Sequence, residues 1–142
     1  MWFGNRCYAP RDVEMALESL FGEPVRQIKV VQYSIYVRWH MRAIATTRPN
    51  RIYLRGSGKE FFSDAPLVLH EYFHVIRQWA TGELTIPRYL MECFRRGYWD
   101  NRYEIEAREF TTNELMRYRA LLAQHRQDAL PPGVHPIRKK HA

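Results

Sequence analysis

With 142 residues, 46% of them hydrophobic, the chain is long enough to bury one core and too short for two comfortable ones. Its formal charge of +7, from 22 Lys and Arg against 15 Asp and Glu, points to acidic or anionic partners. No segment approaches the roughly 18 apolar residues of a membrane span, and the N-terminus lacks an apolar stretch followed by a cleavage site, so no membrane partner is expected. The expected location is the cytoplasm, with export without a cleaved signal the alternative. Cys7 and Cys93 match no metal-binding spacing, and a disulfide is not expected. Cys93, among Leu90, Met91 and Phe94, reads as a small buried apolar residue.

In chain order, Val13, Ala16, Leu17, Leu20 and Phe21 recur at helical spacing and Gly22 follows, which predicts a first helix over 12–21. From 31 to 42, Val31, Tyr33, Ile35, Val37, Trp39 and Met41 alternate with polar or aromatic partners, the period of a half-buried strand or hairpin. Segments 44–46 and 51–55, around Arg48-Pro49-Asn50, predict two more strands and a turn. Gly56-Ser57-Gly58 opens a loop into an apolar helix over 67–79, for which Ser63 or Asp64 is a cap, Pro66 suits the first turn and Thr81-Gly82 is a stop. Helices are further expected at 87–96, ended by Gly97, and at 103–122, where Tyr103, Ala107, Phe110, Leu115, Tyr118 and Leu122 share a face. A domain over 1–130 and a basic, flexible tail over 131–142 complete the organisation. The class is α+β, with a small antiparallel or mixed sheet of about three strands between helices.

Within 67–79, residues 70–74 spell HExxH. Positions four apart share a helix face, so His70 and His74 can reach one metal ion while Glu71 points at a water bound to it. The surrounding Leu69, Phe73, Val75, Ile76 and Trp79 make this a buried helix, and two imidazoles and a carboxylate buried there need partners. Two core histidines bonded to backbone, with Glu71 paired to an arginine, would be the plainer explanation.

A catalytic zinc site needs a third protein ligand and an open position. Glu104 falls on the apolar face of the 103–122 helix, one turn before the small Ala107, and is the candidate third ligand. Glu106 is the fallback, although its angular position, like that of Glu109, is on the polar side.

HExxH followed by Glu104-Ile105-Glu106-Ala107 resembles the gluzincin metallopeptidases, especially minimal zincin-like bacterial proteins and the ImmA/IrrE-like metallopeptidases, over residues 51–122. The resemblance implies a zincin-like fold, Zn2+ held by His70, His74 and Glu104, and peptide hydrolysis through a zinc-activated water with Glu71 as general base. It also implies that an edge strand, for which 51–55 is the candidate, pairs with an extended peptide or protein substrate. One departure stands out. Thermolysin-like members carry an Asp four residues after the ligand to orient a histidine; here that residue is Arg108, leaving Asp100, Asn101 or a backbone carbonyl for the task. For the oxyanion, Tyr98, Tyr103, His40 and His125 are all candidates.

Two other classes stand beside the metallopeptidase. A basic chain can bind nucleic acid, but the arginines are scattered and only Arg138-Lys139-Lys140 forms a run. A metal-binding regulatory or scaffold protein with little turnover would use the same motif. The sequence does not indicate an oligomeric state.

Overall fold

In the computed structural model, which describes residues 4–38 and 44–133, the chain is α+β. The elements are β1 (Asn5–Cys7), α1 (Arg11–Phe21), β2 (Lys29–Gln32), α2 (Ile35–Arg38), β3 (Ala45–Arg48), β4 (Arg51–Leu54), α3 (Gly58–Ser63), α4 (Ala65–Phe73) continued by a π-helical stretch (His74–Trp79), α5 (Ile86–Arg96) and α6 (Arg102–Asp128). His40, the second half of the predicted alternation, and the basic run at 138–140 lie outside the described residues.

The four strands form a mixed sheet in the order β1-β2-β4-β3, with β2 and β4 parallel and the outer pairs antiparallel. This corrects two expectations. Asn5–Cys7 adds a fourth strand, too short to show a period. The 51–55 segment is not an edge: β4 pairs with β3 through Thr47 and Ile52 and with β2 through Val30 and Ile52, and the edges fall at β1 and β3. Ile52 and Leu54 are buried, as a central strand requires.

Nor does the alternation from residue 31 continue as a strand. Tyr33 turns into the left-handed region (φ 53°), and the amides of Tyr33 and Ser34 donate to the carbonyls of Gly56 and Leu54. That leads the chain out of the ladder and into the single turn of α2, where Val37 is buried. A four-residue helix offers too few positions for periodicity to separate it from a strand.

The helices form the other layer. In α1, Asp12 and Glu14 lie in the first turn, where they suit the dipole, and Gly22 (φ 71°) supplies the left-handed stop. Its buried face of Val13, Ala16, Leu17, Leu20 and Phe21 packs on α6, which also packs along α4. Phe110 of α6 joins them, stacked between Phe21 at 5.2 Å and Phe73 at 4.7 Å between ring centres. α5 buries no residue at all; Leu90, Met91 and Phe94 face solvent, and Cys93, expected to be buried among them, is half-buried. No described helix is long and apolar enough to cross a membrane.

Candidate metal centre

Asp64 starts α4 by accepting from the Leu67 amide at 3.2 Å, with Pro66 in the first turn. Val68, Leu69 and Tyr72 bury one side of the helix, which leaves His70, Glu71 and His74 on the side turned to α6. At His74 the α-helix gives way to the π-helical stretch, closed where Ala80 N–H donates to the Val75 carbonyl at 3.0 Å. Such widened turns gather at functional sites, and no residue type announces them.

α6 is anchored by Asn101, fully buried, whose side chain accepts from the Tyr103 amide at 2.9 Å and donates to the Tyr89 carbonyl at 3.4 Å. The neighbouring Ala107, fully buried, lets α6 approach closely. Glu104 is thereby set against the two histidines.

His70 Nε2 lies 2.9 Å from Glu104 Oε2, His74 Nε2 lies 3.3 Å from that oxygen, and the two Nε2 atoms are 3.1 Å apart. A tetrahedral ion with ligand bonds of about 2.0–2.1 Å holds its ligand atoms about 3.3–3.4 Å apart, so this triangle has nearly the size that a metal ion requires. His70, His74 and Glu104 could hold a metal ion, and they are a donor set that leaves further positions open.

Two of the three candidate ligands, His74 and Glu104, are oriented by neighbours. Gln78 Nε2 donates to the Tyr103 carbonyl at 3.1 Å, a group that can only accept, and to Glu106 Oε2 at 3.0 Å. That fixes the amide's orientation, so Gln78 Oε1 accepts from His74 Nδ1–H at 2.6 Å; in the neutral ring the lone pair is then on Nε2, facing the other donors, and in the charged ring Nε2–H donates to Glu104. Tyr89 Oη donates to Glu104 Oε1 at 3.0 Å, which leaves Oε2 for the metal position.

Electrostatics follow the same geometry. Burial raises the Glu104 carboxyl, but the hydrogen bonds from His70 and His74 and the attraction of their rings outweigh it and hold it well below the usual carboxylate range. For His74, burial works against the charged form, yet Glu104, Glu71 and Gln78 together raise it above its ordinary 6.5. Glu71 is 7% exposed and makes no hydrogen bond among the described residues. Burial pushes its carboxyl up, against the pull of His74 and His70 and with repulsion from Glu104. Burial and then the Glu104 charge raise Tyr89. Although more than half of Tyr98 is exposed, its hydroxyl is pushed up to about 12 by desolvation and by Glu104 and Glu71, whose charges it therefore feels.

The structure thus brings His70, Glu71, His74 and Glu104 together. Glu106 is not solvated as its angular position suggests: it is half-buried, and the close approach of the two helices lets it bond Gln78. Asp100 is exposed and Asn101 is used as a helix cap, so His74 is oriented instead by Gln78. Of the oxyanion candidates, Tyr103 spends its hydroxyl on the Glu83 carbonyl at 3.1 Å and His125 lies near Ser19, whereas Tyr98 is within electrostatic reach of the site. Gln78, a polar residue four after His74 on an apolar helix, carried a legible signal; Tyr89, on a separate element, carried none.

Comparison of the chain with protein-family models, curated proteins and solved structures finds no match.

Proposed function

We propose that this chain is a minimal, gluzincin-like zinc metallopeptidase. The convergence of His70 Nε2, His74 Nε2 and Glu104 Oε2 within 2.9–3.3 Å of one another carries the proposal. Two neutral imidazoles and one carboxylate suit zinc and match a catalytic rather than a closed structural set. When bound, zinc supplies a Lewis acid that acidifies water and polarises a carbonyl.

The chain's own residues do the rest. Glu71, with its carboxyl raised by burial and no hydrogen bond holding it among the described residues, takes the proton from the attacking water as the carbon–oxygen bond forms. It then delivers that proton to the leaving nitrogen as the carbon–nitrogen bond breaks. Gln78 and Tyr89 keep His74 and Glu104 in register, and the hydroxyl of Tyr98 is the candidate donor to the oxyanion. The β3 edge, tied to the active-site helix where Trp79 Nε1 donates to Thr47 Oγ1 at 3.0 Å, is the surface on which an extended peptide would pair.

The test is elemental analysis for zinc after dialysis, combined with cleavage of an unstructured protein substrate such as casein. One zinc per chain is expected in the wild type, lost in Glu104→Ala and kept in Glu106→Ala. Glu71→Gln is expected to keep zinc and lose cleavage. A folded wild-type protein without zinc overturns the proposal; zinc with cleavage unchanged in Glu71→Gln removes the general base, and zinc with no cleavage by the wild type assigns a regulatory or scaffold role.

A further inference from the structure

α5 is amphipathic in the opposite sense from a core helix. At 100° per residue, Tyr89, Glu92 and Cys93 share the side turned to the protein, where Tyr89 bonds Glu104, Glu92 accepts from the Arg102 amide at 3.4 Å and Cys93 lies against Asn101. The opposite side carries Leu90 (60% exposed), Met91 (50%) and Phe94 (90%). Half-exposed Ile86 lies at the N-terminal end of the helix, at the border between its two sides, and exposed Tyr98 and Trp99 follow at the other end. Single exposed apolar residues are ordinary, but a whole helix face is not. Arg88 and Arg95 border the face along one flank, Arg88 with its guanidinium against the Gly82 and Glu83 carbonyls, while the one carboxylate of the helix, Glu92, is turned inward and pairs with Arg96 at 3.9 Å.

We propose that the outer face of α5 docks on an anionic lipid surface, lying in the headgroup region with Leu90, Met91 and Phe94 inserted and the arginines at phosphate level. Charge selects this occupant. A second copy of the chain would bring Arg88 and Arg95 of both molecules near one another, and residues 134–142 of the chain are themselves basic. An acidic protein would match the charge, but at 90% exposure the Phe94 ring stands on a ridge without a neighbouring wall. A fluid bilayer needs no complementary groove, and a helix with bulky apolar residues on its exposed face and arginines along the flank of that face suits such an interface. Aromatic residues such as Tyr98 and Trp99 favour the same boundary.

The experiment is co-sedimentation of the full chain with vesicles of neutral phosphatidylcholine and with vesicles in which about a third of the lipid is phosphatidylglycerol. Binding to the anionic vesicles alone is expected, falling as salt is raised. Phe94→Glu and Met91→Glu, both at exposed positions and each checked for unchanged helix content, are expected to weaken it by about tenfold or more. No binding to anionic vesicles, or equal binding by both variants, overturns the proposal. So does a concentration-dependent dimer that Phe94→Glu disperses, which assigns the face to a second copy, or a soluble acidic protein that competes the chain off vesicles through this face. Zinc content and cleavage do not enter the measurement, so its failure is separate from that of the metallopeptidase proposal.

Discussion

Gln78 accepts the Nδ1 proton of His74 at 2.6 Å while its own amide nitrogen is held by the Tyr103 carbonyl and Glu106, so one buried amide connects the π-helical continuation of α4 to α6 and sets a tautomer. Replacing Gln78 with Met keeps the volume and removes every one of these bonds. Metal affinity should fall about 10–100-fold, as for other partners of metal-bound histidines. Stability should fall by about 1–3 kcal/mol, since the groups left behind are buried without partners. Competition with a chelator measures the first and thermal unfolding the second. Gln78→Glu restores the acceptor for His74, so it should recover part of the affinity; equal loss in both variants would show that packing, not the tautomer, matters.

Tyr89 acts on Glu104 from the outside. Its hydroxyl holds Oε1 at 3.0 Å, so Tyr89→Phe releases that oxygen without disturbing Oε2. A hydrogen bond to a charged group is worth about 1.5–3 kcal/mol, and a loss of stability in that range is expected in the metal-free protein. The variant should still bind metal. Complete loss of metal in Tyr89→Phe would mean that Glu104 needs this donor to adopt its position at all.

The pH dependence has a definite sign. Glu104, held below its usual 4.5, contributes stability that is complete above that value and lost only as pH falls through its depressed one. His74, raised above 6.5, contributes stability that is complete below 6.5 and lost as pH rises through its own value. Glu71, raised above 4.5, likewise loses its contribution as pH rises from there. The metal-free protein should therefore lose thermal stability as pH rises above 6.5. Metal needs the His74 lone pair, so zinc should reverse the trend and its binding just above pH 6.5 should release protons, measurable by calorimetry in buffers of different ionisation enthalpy. A flat profile without metal would mean that His74 and Glu71 are not raised.

Much of the site was legible because helical spacing is a local rule: His70 and His74 share a face by being four apart, and Glu104 faces them because Ala107 and Tyr103 define the buried side of α6. The helices at 12–21 and 87–96 announced their ends through Gly22 and Gly97. What stayed hidden depended on distant partners. Glu106 was assigned to solvent by its angle, yet the Gln78 amide arrives from another helix to meet it. The strand predicted onward from Val31 ends at Tyr33 because Gly56 and Leu54, more than twenty residues later, take the next amides. β4 became a central strand only when β2 paired with it, in parallel, across the intervening α2 and β3, a non-local choice to which its own alternation is indifferent.

Tyr118 shows the opposite of a satisfied buried group. Its side chain is fully buried between α1 and α4, and its hydroxyl finds no hydrogen-bond partner among the described residues. Burial, with the charge of Asp12 adding to it and Arg126 opposing, raises its pKa well beyond the usual range, so the group stays neutral at any ordinary pH. A hydroxyl taken from water without a new bond costs about 1–3 kcal/mol, while the ring contributes its packing whether or not the oxygen is there. Tyr118→Phe should thus leave the fold and the metal site unchanged and raise the unfolding free energy by up to about that amount, less the small void where the oxygen was. Denaturant unfolding of the two proteins, with equal slopes and a higher midpoint for the variant, is the expected result. A lower midpoint would show that the hydroxyl has a partner, such as an ordered water, whose bond offsets its burial.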